Sequence, residues 1–312
     1  MNDKRIIGRF TGEEKGPLII CFGGMHGNEP AGVKALDLMF KMLEVEPITN
    51  PDFYFRGRLL GLRGNVQALD LGVRYLEKDL NRMWRPEVVE PIMAADRDQL
   101  QYEDLELREN LEIIHKELKE YEPDEVLVLD IHTTTAFGGI FSIATDDPDS
   151  IKIAIEIHAP VITGMLEGIH GTGLHYFNKA FFDYNMVPVV FEAGQHYEPL
   201  SVNRAIAAVT NCMRTLGCVR AEDVENQHDQ LLLEYADGLP KVAELITVHR
   251  ITPEDQFKML PGFNNFQEVR KGQQLALDKE GVIIAPEDGL ILMPLYQSQG
   301  DDGFFLIRQI EY

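Results

Sequence analysis

The apolar residues of this chain fall into short runs that end on glycine or on an ionisable side chain. "GPLIICFGG" (16–24) is continuous, as expected of a strand covered on both faces, and it stops at a glycine pair. "PAGVKALDLMFKML" (30–43) follows with apolar residues at helical spacing, and Pro30 stands near the first turn, where a proline is tolerated. Two further runs, "EVLVLDIHT" (125–133) and "MVPVVFEAG" (186–194), read as buried strands. Helical stretches at 97–121, 147–158 and 200–216 alternate with them, so the pattern predicts an α/β fold: a mostly parallel mixed sheet flanked by helices.

Beyond residue 220 the period changes. "KVAELITVHRI", "QQLALD", "GVIIAPEDGLILMPLY" and "GDDGFFLIRQI" are short runs broken by Gly, Pro and Asp, which predicts a smaller C-terminal β domain. The polar stretch 221–230 is the expected linker, giving a catalytic domain over 1–222 and a β domain over 223–312.

Charge narrows the partners. The 312 residues carry 51 acids against 29 Lys and Arg, a formal charge of −22, which disfavours nucleic acid and anionic membranes. No apolar run reaches the length of a membrane helix and the N-terminus lacks a signal-peptide core, so a cytoplasmic protein is expected. Cys21, Cys212 and Cys218 form neither a CxxC nor an even set and read as packing residues. One segment opposes the overall sign: residues 51–85 hold seven cations (Arg56, Arg58, Arg63, Arg74, Lys78, Arg82, Arg85) against four acids. It offers a local foothold for an anionic substrate, although arginines on a solvated loop would give the same count.

Ligands of open α/β sheets gather beyond the carboxyl ends of the strands. His26 and Glu29 in "GGMHGNEPAG", His132 at the end of 125–133 and Glu192 at the end of 186–194 all fall there. Two histidines and a carboxylate are a donor set suited to one Zn²⁺ with a coordination position left open, which leaves Glu192 as a base. The glycines around His26 let the backbone turn tightly enough for both near side chains to reach one ion. Capping of the following helix is the plainer role for His26 and Glu29. Asp130 shares a strand face with His132 and could accept its second ring N–H; an ordinary polar residue at a strand end is the alternative.

"HGNE", "RYLEKDLNR", "DIHTTT" and "FEAGQ", in this order and spacing, resemble the succinylglutamate desuccinylase/aspartoacylase family, a branch of the zinc carboxypeptidase superfamily. The resemblance spans about residues 17–200. It implies a zinc-dependent hydrolase that cleaves the amide of a small, anionic N-acyl amino acid, with the C-terminal β domain narrowing the entrance. Matched position by position, His26, Glu29 and His132 are metal ligands and Glu192 the general acid/base. Arg74 polarises the scissile carbonyl, and Asn81 and Arg82 bind the α-carboxylate. In the C-terminal part, where the agreement is one of character only, Tyr296 could lean over the site as a tyrosine does in related enzymes, or simply pack between strands. The arginine that grips a distal acyl carboxylate in such enzymes has no counterpart here, because Phe182 stands in its place. An apolar acyl pocket, or Lys179 as a substitute, is the expectation, and His170, His175 and Tyr176 lie in the neighbouring loop. A carboxypeptidase acting on peptides, or a non-catalytic metal-binding protein of the same fold, would share the metal residues. A homo-oligomer is compatible with all of this.

Overall fold

The computed structural model describes residues 4–220, 222–223 and 229–311, so most of the stretch read as a linker lies outside the described residues. The strands of the first part are β1 (Ile6–Thr11), β2 (Glu14–Gly23), β3 (Arg56–Arg63), β4 (Val126–Thr134), β5 (Phe141–Ala144), β6 (Val161–Thr163) and β7 (Met186–Gln195). Those of the C-terminal part are β8 (Val242–Arg250), β9 (Lys258–Met259), β10 (Gln267–Val269), β11 (Gln274–Asp278), β12 (Gly281–Ile284), β13 (Gly289–Leu292) and β14 (Asp302–Gln309). The principal sheet runs β1-β3-β2-β4-β7-β5-β6-β8-β14-β13-β10. Strands β3, β2, β4 and β7 are parallel to one another, and β5, β6 and β8 form a second parallel group antiparallel to β7.

The expected α/β architecture is present, with one difference at the C-terminus. Strands β9, β11 and β12 do make a small separate antiparallel sheet. Strands β8, β10, β13 and β14, however, continue the principal sheet, because β8 pairs in parallel with β6. Nothing in the local pattern of 242–250 distinguishes a strand that joins an existing sheet from one that starts its own.

The helices are α1 (Ala31–Thr49), α2 (Val66–Leu71), α3 (Pro86–Ala94), α4 (Tyr102–Tyr121), α5 (Pro148–Glu156), α6 (Met165–Gly168), α7 (Gly173–Tyr176), α8 (Leu200–Thr215) and α9 (Asp229–Ala236). Successive strand side chains point to opposite faces, and the two layers follow from that alternation. Ile19 and Cys21 of β2 join Leu36, Met39 and Phe40 of α1 and Ala205 to Val209 of α8 in one core. Leu18, Ile20 and Phe22 join Leu107, Leu111 and Ile114 of α4 and Trp84 in the other. Each fully buried Leu, Met or Phe contributes about 1.5–3 kcal/mol by leaving water, so the helices are held chiefly by these faces. A third cluster lies on the same side of the sheet as the α4 layer, around β5, β6, β8 and β14. The site lies between the two.

Helix α4 carries many acids, yet Glu103, Glu106, Glu109 and Glu117 are buried. Arg5, itself 1% exposed, pairs with Glu106 and Glu109, and Glu117 takes Arg9 and Arg58. Glu103 accepts the backbone N–H groups of Leu76, Glu77 and Lys78 at 2.7, 3.1 and 3.2 Å, together with Asn65 Nδ2 at 3.0 Å. That carboxylate anchors the loop that carries Arg74, Asn81 and Arg82. Among the described residues no helix is long and apolar enough to cross a membrane.

Candidate active site

The turn from β2 into α1 brings His26 and Glu29 together. Gly24 sits at φ +69°, and a side chain on Gly27 would meet the backbone of Ala68 at 2.1 Å, so the tight approach requires glycine at both positions. The backbone carbonyl of Arg74 accepts the N–H of Gly27 at 3.1 Å, which ties the two loops to each other.

From the sheet, β4 supplies Asp130 and His132 and β7 supplies Glu192, with His132 directly opposite Glu192 in the register. Ligand-type atoms of His26, Glu29 and His132 lie within 4.8 Å of one another, and all three side chains are buried. Glu29 Oε1 is 2.8 Å from His26 Nδ1, and Glu29 Oε2 is 3.2 Å from His132 Nδ1. The far nitrogens are held from behind. His26 Nε2 is 3.1 Å from Asp79 Oδ1, and His132 Nε2 is 2.9 Å from Asp130 Oδ2. Each imidazole therefore turns Nδ1 inward with a carboxylate fixing its other nitrogen, the arrangement in which histidine serves as a metal ligand. The donor set, two imidazoles and one carboxylate, suits a zinc-type cation.

Without a cation, the same contacts set the charges of these groups. Burial alone would raise the Glu29 carboxyl, but the neighbouring His26 and His132 hold it well below the usual carboxylate range. Burial would likewise raise Asp79, and His26 and Arg74 hold it well below its ordinary value. His132 moves the opposite way: burial lowers an imidazole, yet Asp130 and Glu29 push it well up. Glu192 shifts the other way from Glu29. Burial pushes it to about 8, aided by Glu29 and Asp130 and countered by His132 and Arg74.

This has a measurable consequence in chelator-treated protein. Glu192 keeps its proton in the folded chain up to about pH 8 but ionises near 4.5 when unfolded, so its contribution to stability is complete below about pH 4.5 and lost as pH rises through 8. A Glu192→Gln variant lacks this loss. The Tm difference, variant minus parent, is expected to grow from pH 5 to pH 8.5, and a flat difference would contradict the buried-acid assignment.

A cavity of about 110 Å³ opens onto these groups, and Arg74, Asn81 and Arg82 line it. Arg74 lies 3.5 Å from Glu29 Oε1 and 3.1 Å from Asp79 Oδ2, and these acids raise its pKa despite burial. Arg82 pairs with Asp302 at 2.7 Å. Several buried polar atoms here have no protein partner: Glu192 Oε2, Arg74 Nε, Arg82 Nε and Asn81 Oδ1. Leaving such atoms unpaired is costly, so their concentration around one cavity is the mark of a ligand site.

Three expectations need correction. Tyr296 does not line this cavity; its hydroxyl donates to the carbonyl of Leu260 at 3.0 Å and accepts from the N–H of Phe263 at 2.9 Å, which turns the ring toward the small sheet. Phe182 is not a pocket residue either, since it packs among Tyr176, Phe177 and His115. Lys179 is exposed and outside the lining. His170, His175 and Tyr176 also stay outside, while their loop sends Ile169, Thr172 and Leu174 inward. His175 is occupied by Thr172 and the carbonyl of Leu166.

Two residues missed by sequence reasoning belong to the site. Asp79, inside "RYLEKDLNR", holds His26 and Arg74 at once. His196, four residues past Glu192, is 2.8 Å from Thr133 Oγ1 through Nδ1 and lines the cavity. Its place at the end of the strand that carries Glu192 was the available signal.

Comparison with known proteins gives a consistent result. Residues 15–216 match the model of the succinylglutamate desuccinylase/aspartoacylase catalytic domain. A probable aspartoacylase of Nostoc sp. is 33% identical over 300 residues, covering 89% of this chain and 90% of that protein. The crystal structure of a succinylglutamate desuccinylase/aspartoacylase from Rhodobacter sphaeroides is similar in fold, with TM-score 0.65, 15% identity, and 97% and 88% of the two chains covered. The product-bound ectoine utilization protein EutE (DoeB) from Ruegeria pomeroyi is similar at TM-score 0.64 and 17% identity, over 96% and 88% of the chains. By the extent of the family match and of the Nostoc alignment, the chain belongs to the succinylglutamate desuccinylase/aspartoacylase family of hydrolases.

Proposed function

We propose that this protein is a zinc-dependent amidohydrolase that cleaves the acyl-amide bond of a small N-acyl amino acid. The observation that carries the reading is the convergence of His26, Glu29 and His132 beside a cavity into which Glu192 and Arg74 also open. In this reading residues 1–222 form the catalytic domain, 223–312 cover the entrance, and His26, Glu29 and His132 hold one cation per chain. When bound, that cation supplies Lewis acidity and lowers the pKa of nearby water.

The chain's own groups account for the proton traffic. The Glu192 carboxylate removes a proton from the attacking water as the new carbon–oxygen bond forms at the amide carbonyl. The Arg74 guanidinium, held in place by Asp79 and Glu29, faces the developing oxyanion. Glu192 then returns the proton to the departing nitrogen as the carbon–nitrogen bond breaks, so one carboxyl serves as base and as acid. A carboxyl pushed to about 8 by burial is near the range where a single group can do both, and a cation beside it would draw it lower. Arg82 and the amide group of Asn81, two residues that line the cavity, are suited to the substrate's α-carboxylate.

The test is direct. Purified protein should carry about one zinc per chain by metal analysis and release free amino acid from N-acyl amino acids but not from blocked dipeptides. Preference for the dipeptides would favour a carboxypeptidase, and a stoichiometric metal with no turnover would favour a binding protein.

A further inference from the structure

The sheet face that carries His132 and Glu192 becomes apolar one strand further on. Strand β5 lies antiparallel to β7, with Ile143 opposite Val190 and Phe141 opposite Glu192. Neighbouring strands are about 4.8 Å apart, so an apolar floor begins within one strand of the catalytic carboxyl. Met165 and Leu166 of α6, Ile169 after it and Phe305 of β14 complete the wall together with Ile143 and Val190. This wall is the cavity-facing edge of the third hydrophobic cluster.

With Arg82 assigned to the α-carboxylate and Arg74 to the reacting carbonyl, no arginine or lysine of this cavity is left over among the described residues. Arg74 faces Asp79 and Glu29, and Arg82 faces Asp302. The rim adds Asp301, and no lysine and no other arginine lines the cavity among the described residues. A second carboxylate on the substrate would lose its water without gaining a counter-charge, which disfavours its binding.

The wall also lies next to the proposed α-carboxylate site. The carbonyl of Gly171 accepts the N–H of Trp84 at 2.9 Å, and a side chain on Gly171 would strike the Arg82 carbonyl at 2.2 Å. The loop bearing Ile169 is thus pressed against Arg82. In an amino acid the side chain and the carboxylate branch from one carbon, so the group that meets this wall is the amino-acid side chain.

Resting on the hydrolase reading, we propose that the substrate is the N-acyl derivative of an amino acid with an aliphatic or aromatic side chain and no second carboxylate. Four probes decide it: N-acetyl-leucine, N-acetyl-phenylalanine, N-acetyl-aspartate and N-succinyl-glutamate. Each is titrated calorimetrically into zinc-loaded Glu192→Gln protein and assayed for hydrolysis by the zinc-loaded parent.

The two apolar probes are expected to bind at least about tenfold tighter and to give the higher kcat/KM. Leu166→Arg, which places a cation on the wall, should narrow or reverse that ratio. Leu166→Ala, which removes contact without adding charge, should weaken the apolar probes and leave the other two nearly unchanged. Tighter binding of N-acetyl-aspartate or N-succinyl-glutamate by the Gln variant would overturn the apolar assignment and leave the hydrolase reading standing. Selective binding of N-acetyl-leucine without turnover of any probe by the parent would do the reverse. Failure of all four to bind or react would remove both.

Discussion

Replacing Glu192 by glutamine should lower kcat by about 10²- to 10⁴-fold, the usual contribution of a positioned acid/base, while zinc content stays unchanged. The amide fills the same volume beside His132, keeps the cavity shape, and cannot take a proton from water. Because Glu192 Oε2 has no protein partner, no hydrogen bond within the chain is lost at that oxygen, and a fold defect is not expected to imitate the effect. Metal analysis and steady-state kinetics on the same preparation check it. Full activity would remove Glu192 from the mechanism, and simultaneous loss of zinc would make it a ligand.

Replacing His132 by alanine should abolish zinc retention and turnover together. The substitution leaves Asp130 and Glu29 buried without the imidazole that separates them, so two carboxylates face one another with less positive charge between. In the parent protein, free zinc at a thousandfold excess over its Kd should stabilise the fold by about 4 kcal/mol, read as a rise of several degrees in Tm. In the alanine variant that rise should vanish. A zinc-dependent Tm shift of parental size in the variant would mean that the cation is held elsewhere.

The positions of His26, Glu29, His132 and Glu192 were legible because each ends or follows an apolar run, and parallel strands deliver such residues to one sheet edge. Their supports were harder to read. Asp79 meets His26 across 53 positions, and Arg5 meets Glu109 across 104, distances over which no local pattern speaks. Phe182 was misplaced because motif spacing locates a loop but not the direction its side chain packs, and the aromatic neighbours Tyr176 and Phe177 claimed it. The apolar wall depends on β5 running antiparallel to β7, a pairing that the run "FSIA" alone does not specify. The C-terminal strands were recognised as strands, while their joining of the principal sheet through β6 and β8 is a tertiary choice.

The carboxylate of Glu103, with three consecutive amides of the arginine-bearing loop in its grip, fixes when the entropic cost of order is met. A loop tethered in this way has lost its freedom during folding, before any ligand arrives, so capture of an anion need not be weakened by the cost of stilling a mobile arm. The acidic helix α4, packed on the same face of the sheet as the cavity and far from being mere solvated surface, acts as a rigid backrest against which the cationic side of the cavity is set in advance.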